Sequence, residues 1–263
     1  MNKRLLNTLY YCAGIILFAI ILQLLSIIIN KAVFFPGILN ILKAFGKLLI
    51  TSKTYIYIFN TILDLLLALL ISFIIGILLA VLANNIRPIY KILKPIMIVF
   101  RCFPIVIIFV LLMVVIKLKY VALVSTVLVL IPLIYEATYQ GLISINKDLL
   151  DVYKINSNLS IRIIFNVHLP LVSSHSKEAY INSLGMAIKI LITTEYLSGK
   201  DYVIGRAILN SFYSSEHDKI FAYSFILVIL VIILELIPVL LHYIFIKIKT
   251  KKDNDFIEYM LKG

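Results

Sequence analysis

The side chains best equipped for chemistry are five ionisable residues set within or at the edges of long apolar runs: Asp64, Arg101, Glu136, Lys189 and Glu195. A charge at mid-bilayer costs at least about 2.5–3.5 kcal/mol, so such groups pair with one another, face a wet cavity, or carry ions and protons. Lys189 lies deepest in its run, where a pathway or pairing role competes with snorkelling to the lipid edge. Glu235, with Pro238 one turn later, reads as a partner for a kinked helix rather than a substrate contact. Enzymatic constellations are not found. His168 and His175 stand seven positions apart without a metal-ligand pattern. No G-x-x-x-x-G-K-S/T loop is present to cradle a nucleotide phosphate. Cys12 and Cys102 sit in apolar stretches without a local partner, so no redox pair, metal or other cofactor is expected.

The elements that must position these charges follow from composition. Of 263 residues, 62% are apolar and 14% charged, with a mean hydropathy of +1.07. Ordinary soluble domains run at roughly 45–50% apolar and about 25% charged, which excludes a soluble fold. At about 20 residues per spanning helix, the chain holds five to seven spans and no large extramembrane domain. The expectation is an all-α polytopic membrane protein forming one transmembrane domain over 1–263, with spans near 9–29, 61–83, 96–116, 121–137, 179–197 and 220–246. The segment 179–197 is the least apolar, since Asn182, Lys189, Thr193, Thr194 and Glu195 interrupt it.

Charge orients these spans. The net charge of +12 is dispersed over loops rather than gathered on one aromatic-interleaved face, so it reads as topology and not as a nucleic-acid surface. Lys3 and Arg4 precede the first span and lysines 247, 249, 251 and 252 follow the last, which places both termini in the cytoplasm of a plasma-membrane protein. Termini on one side require an even count, so 179–197 is included as the fifth of six spans. Fourteen basic residues then fall on cytoplasmic segments and nine on outer ones.

Within the second span, Asn60, Asp64, Ala68, Ser72, Gly76, Ala80 and Asn84 recur every four residues. Spans associate through small residues that allow close backbone approach, so Ala68, Ser72, Gly76 and Ala80 form a candidate packing ridge. The polar ends of that row, Asp64 and Asn84, leave a role in a pathway open.

The cytoplasmic segment 141–177 is neither a polar linker nor a span. Asn146 is placed to cap a short helix, Asp148 lies in its first turn, and Leu149, Val152 and Tyr153 share a side. Asn156-Ser157-Asn158 breaks it, and a second short helix, 160–167, follows. On these residues alone the segment reads as an amphipathic hairpin at the membrane surface.

The same segment resembles the coupling loop of ABC importer permeases, whose signature runs E-A-A, three residues, Gly, nine residues, Ile, one residue, Leu-Pro. Here the order is Asp151-Val152-Tyr153, three residues, Ser157, nine residues, Val167, His168, Leu169-Pro170. The spacing is kept and the residues are kept in part. Further along, the chain is similar to the nitrate/sulfonate/taurine class of these permeases. Arg101-Cys102-Phe103-Pro104 resembles its R-x-x-P, Thr138-Tyr139-Gln140-Gly141-Leu142 its T-Y-x-G-L, and Glu195 the acidic residue ending the fifth span. Val203-Ile204-Gly205 resembles a G-L-G whose first Gly is absent.

The resemblance implies a type I importer permease with a coupling-helix hairpin between spans four and five, in which Asp151, Val152, Tyr153, Ser157, Val167, Leu169 and Pro170 contact a separate cytoplasmic ATPase. It implies a second permease copy, most often identical, an extracytoplasmic solute-binding protein, and a pathway for a small solute such as a nitrate-, sulfonate- or taurine-type anion or a thiamine-precursor-like compound. Asp64, Arg101, Lys189 and Glu195 are the candidate pathway residues. The alternative is an ion-coupled secondary transporter in which Asp64, Glu136 or Glu195 carries a proton.

Overall fold

The computed structural model describes residues 36–144 and 169–236 and scattered positions between 10 and 28, with the backbone alone described for 169–178. Every regular element among them is helical. In chain order they are α1 (Ile38–Ile50), α2 (Ser52–Asn85), α3 (Arg87–Cys102), α4 (Ile105–Val115), α5 (Leu118–Ile143), α6 (Leu169–Ser198), α7 (Ile204–Tyr213) and α8 (His217–Leu236). The protein is an all-α, multi-pass membrane protein. Among the described residues three helices, α2, α5 and α8, are long and apolar enough to cross a membrane, and a fourth span is counted if α3 and α4 act as one.

Helix α2 has 34 residues, about 51 Å at 1.5 Å per residue. That exceeds the roughly 30 Å of a hydrocarbon core, so the helix extends beyond the Thr61–Ala83 stretch that hydropathy marks. Helix α6 runs from Leu169 to Ser198, covering the fifth expected segment, and is long enough to cross a membrane but less apolar than α2, α5 and α8. Helix α5 extends to Ile143 and α6 begins by Leu169, and 145–168 lie outside the described residues. Leu169 and Pro170 open α6, where the missing N–H of proline leaves no intrahelical bond unmade.

The helix is broken within the third expected span. Residues 96–116 do not form one helix: α3 starts at Arg87, passes through Pro95 and ends at Cys102, and α4 leaves it at a bend of 99°. Phe103 is extended (φ −66°, ψ 126°), as expected for a residue preceding proline, and Pro104 cannot continue the ladder.

The chain forms two compact units. One comprises Met1–Leu66, Phe109–Leu123 and Leu191–Leu227, the other Leu67–Ile108, Val124–Ile190 and Val228–Gly263. In the first unit α1 is amphipathic and buries Ile41, Ala44 and Leu48, spaced for one face. Ala44 and Leu48 pack with Ile204 and Ala207 of α7 and with Ala222, Tyr223 and Ile226 of α8. The first amide of α1 donates to Gln23 Oε1 at 3.0 Å, supplying the cap that Gly37 lacks.

In the second unit the α2 residues Ala68, Ser72, Gly76 and Ala80 are buried. Ser72 Oγ donates to the Val127 carbonyl at 3.4 Å. A Cβ on Gly76 would stand 2.9 Å from Ile134 Cγ2 and 3.2 Å from the Tyr135 amide nitrogen, so only glycine permits this approach of α2 to α5. Ala80 and Ala83 share a core with Met97, Tyr135 and Leu142.

Candidate functional site

Two polar assemblies stand out, one in each unit. In the first, the turn between α6 and α7 is fastened to α2. Gly199 (φ 63°) ends α6 in the left-handed conformation, and Tyr202 (φ 59°) repeats it at a residue that rarely adopts it. Asn60 Nδ2 donates to the Tyr202 carbonyl at 2.9 Å, and Lys200 Nζ pairs with Asp64 Oδ2, side chains that are mostly buried.

Glu195 is fully buried beneath this turn. Its Oε2 accepts the Gly205 amide at 3.1 Å and the Thr61 hydroxyl at 3.1 Å, while Thr61 Oγ1 accepts the Ile204 amide at 3.0 Å. Ile204 and Gly205 are the first two residues of α7, and its N-cap residue, Val203, makes no side-chain cap. Glu195 and Thr61 therefore cap α7 from other helices, and the positive end of the helix dipole favours the carboxylate there. Glu195 Oε1 has no hydrogen-bond partner among the described residues.

The second assembly is an open cavity of about 500 Å³. Arg101 at the end of α3, Glu136 and Gln140 on α5, and Asn182, Ser183 and Met186 on α6 line it. Gln140 Nε2 donates to Glu136 Oε1 at 2.8 Å, holding the carboxylate on the helix surface. A cationic guanidinium, a carboxylate, two amides and a hydroxyl can orient a small polar solute by charge and hydrogen bonds, with Leu133, Ala137 and Met186 supplying apolar wall. Nearby, Thr138 Oγ1 and Tyr180 Oη are 2.9 Å apart, tying α5 to α6.

The four candidate pathway residues divide between the two units. Asp64 and Glu195 belong to the fastening of the α6–α7 turn, Arg101 lines the cavity, and Lys189 is exposed on α6. Lys200, Asn182 and Ser183 were not singled out by residue type. Lys200 reads as ordinary loop charge, and an Asn–Ser pair inside an apolar run signals only an interruption. Asp151, Val152, Tyr153, Ser157 and Val167 lie outside the described residues. The first unit also carries a cleft of about 310 Å³ lined by Lys43, Lys47, His217 and Asp218.

These features define a polytopic helical membrane protein with a polar cavity among its helices. Residues 72–248 match the family described as binding-protein-dependent transport system inner membrane component, and the chain belongs to that family. Among solved structures it is similar to a chain described under "Inward facing conformations of the MetNI methionine ABC transporter: CY5 native crystal form". The TM-score is 0.61 at 18% identity, over 68% of this chain and 90% of that chain, a likeness of fold. A search of curated proteins gave no match.

Proposed function

We propose that the chain is the pore-forming permease subunit of an ATP-binding cassette importer. The observation that carries this reading is the family match over residues 72–248, which includes the whole segment whose spacing from Asp151 to Pro170 resembles a coupling loop. In this reading both termini are cytoplasmic, and 151–170 seats in a groove of a separate ATPase, its apolar Val152 and Tyr153 flanked by Asp151, Lys154 and Arg162. Closure of that ATPase on ATP moves the permease helices and alternates the opening of the pathway. A second copy of the chain completes the pore, and an outer solute-binding protein delivers the solute. The Lys43–Lys47 cleft offers such a protein a cationic contact.

The 500 Å³ cavity is the proposed solute station. Arg101 favours an anionic group, consistent with a nitrate-, sulfonate- or taurine-like solute, and Lys189 adds positive charge on α6. A proton-coupled carrier is less well supported: Asp64 is paired with Lys200, and Glu195 is enclosed with its Oε2 held by Gly205 and Thr61. Co-expression with the ABC ATPase subunit of the same system tests the assignment. The pair is expected to co-purify from detergent, and Asp151→Lys or Tyr153→Glu to release the ATPase while the permease still inserts. ATPase retention by both variants would refute the role of the segment.

A further inference from the structure

Helix α3 carries Arg87, Lys91, Lys94 and Arg101 and no acidic residue. At 3.6 residues per turn these four fall within an arc of about 80°, with Tyr90 beside them. The other exposed side holds Ile92, Ile96 and Val99, and Met97 is buried. Such a helix, basic on one face and apolar on another, suits the bilayer interface. The 99° bend to the wholly apolar α4 means that the two cannot both follow the membrane normal; α4 suits the hydrocarbon and α3 the interface.

Against the basic face lies a second cavity, of about 220 Å³, lined by Tyr90, Lys94, Arg101, Tyr135, Glu136 and Tyr139, among others. Its tyrosines form a ladder. Tyr90 and Tyr139 stack at 4.9 Å with planes 13° apart, and Tyr139 and Tyr135 at 5.9 Å and 9°. Lys94 Nζ stands 5.6 Å above the Tyr90 ring. Tyr135 is 2% exposed, and its buried hydroxyl has no hydrogen-bond partner among the described residues. A phenol left in this state costs desolvation without return unless something else meets it. Glu136 shares the cavity, with its Oε1 engaged by Gln140.

We propose that this cavity binds the phosphate of an anionic phospholipid headgroup, with Lys94 as its ion-pair partner, the Tyr135 hydroxyl as a donor, and the acyl chains along Ile92 and Ile96. The four aligned bases give the electrostatic attraction, and the adjoining apolar face distinguishes a lipid from a soluble anion. The site rests on the membrane location of the chain and not on the transport reading.

The test is native mass spectrometry of the delipidated full chain titrated with phosphatidylglycerol or phosphatidylcholine. Phosphatidylglycerol is expected to bind preferentially, and Lys94→Gln to weaken it about tenfold by loss of a charge-assisted bond. Lys91→Gln, the same charge change outside the cavity, is expected to alter it less than about twofold, since only the screened long-range field is lost. Tyr135→Phe removes one oxygen, leaves the lipid-free protein at least as stable, and weakens phosphatidylglycerol binding, a combination that a purely structural tyrosine would not give. Equal binding of both lipids, equal losses in Lys94→Gln and Lys91→Gln, unchanged binding by Tyr135→Phe, or displacement of the lipid by millimolar inorganic phosphate would each overturn the proposal.

Discussion

Glu195 Oε2 accepts the amide of Gly205 at 3.1 Å, and the backbones meet so closely that a Cβ on Gly205 would lie 2.5 Å from both Glu195 Cβ and the Tyr196 nitrogen. The carboxylate in the last turn of α6 is thereby the cap of α7, and glycine is the residue that lets the helix start reach it. Gly205→Ala is expected to cost about 1–3 kcal/mol, because the obstructing atoms include main chain that cannot swing aside. Thermal unfolding in detergent measures it; an unchanged midpoint would contradict the close approach.

Two variants at Glu195 separate capping from charge. Glu195→Gln keeps a carbonyl oxygen for the Gly205 amide, whereas Glu195→Ala strands that amide and the Thr61 hydroxyl, at about 1–3 kcal/mol for each buried group left unpaired. The expected order of thermal stability is wild type and Gln together, with Ala well below. A Gln variant as unstable as Ala would show that the charge itself is required.

Lys200 and Asp64 are 136 residues apart in sequence and pair in the partly buried wall of the same turn. Lys200→Met and Asp64→Asn, made singly and together, should couple by about 0.5–3 kcal/mol in a double-mutant cycle, the range for contacting residues. Strict additivity would mean that the pair contributes nothing to holding the turn.

At Gly76 a Cβ would press on Ile134 and on the Tyr135 main-chain nitrogen, so Gly76→Ala should be destabilising and Gly76→Leu should prevent α2 from seating on α5. Size-exclusion profiles and protease resistance of the two variants report this difference.

The helical membrane class was legible from the apolar runs alone, and the four-residue spacing of Ala68, Ser72, Gly76 and Ala80 was visible because small residues are conspicuous among Leu and Ile. The capping by Glu195 was not. Its donors are the Gly205 main-chain amide ten residues away and the Thr61 hydroxyl 134 residues away, and neither a backbone N–H nor so distant a hydroxyl has a signature in local residue type, so cost alone grouped Glu195 with Arg101 and Lys189. The break before Pro104 was visible as a residue but not as a 99° bend, since proline in an apolar run kinks one helix as readily as it divides two. The pairing of Asp64 with Lys200 depends on a left-handed turn at Gly199 and Tyr202 that no local periodicity records.

The central claim, that the chain is an importer permease driven by a partner ATPase, is tested most directly by solute uptake. Proteoliposomes would carry the chain, its ATPase and its binding protein, with ATP supplied on the ATPase side. Uptake should require ATP hydrolysis and the binding protein, and should persist when proton and sodium gradients are collapsed. Uptake that follows an imposed ion gradient and ignores ATP would contradict it.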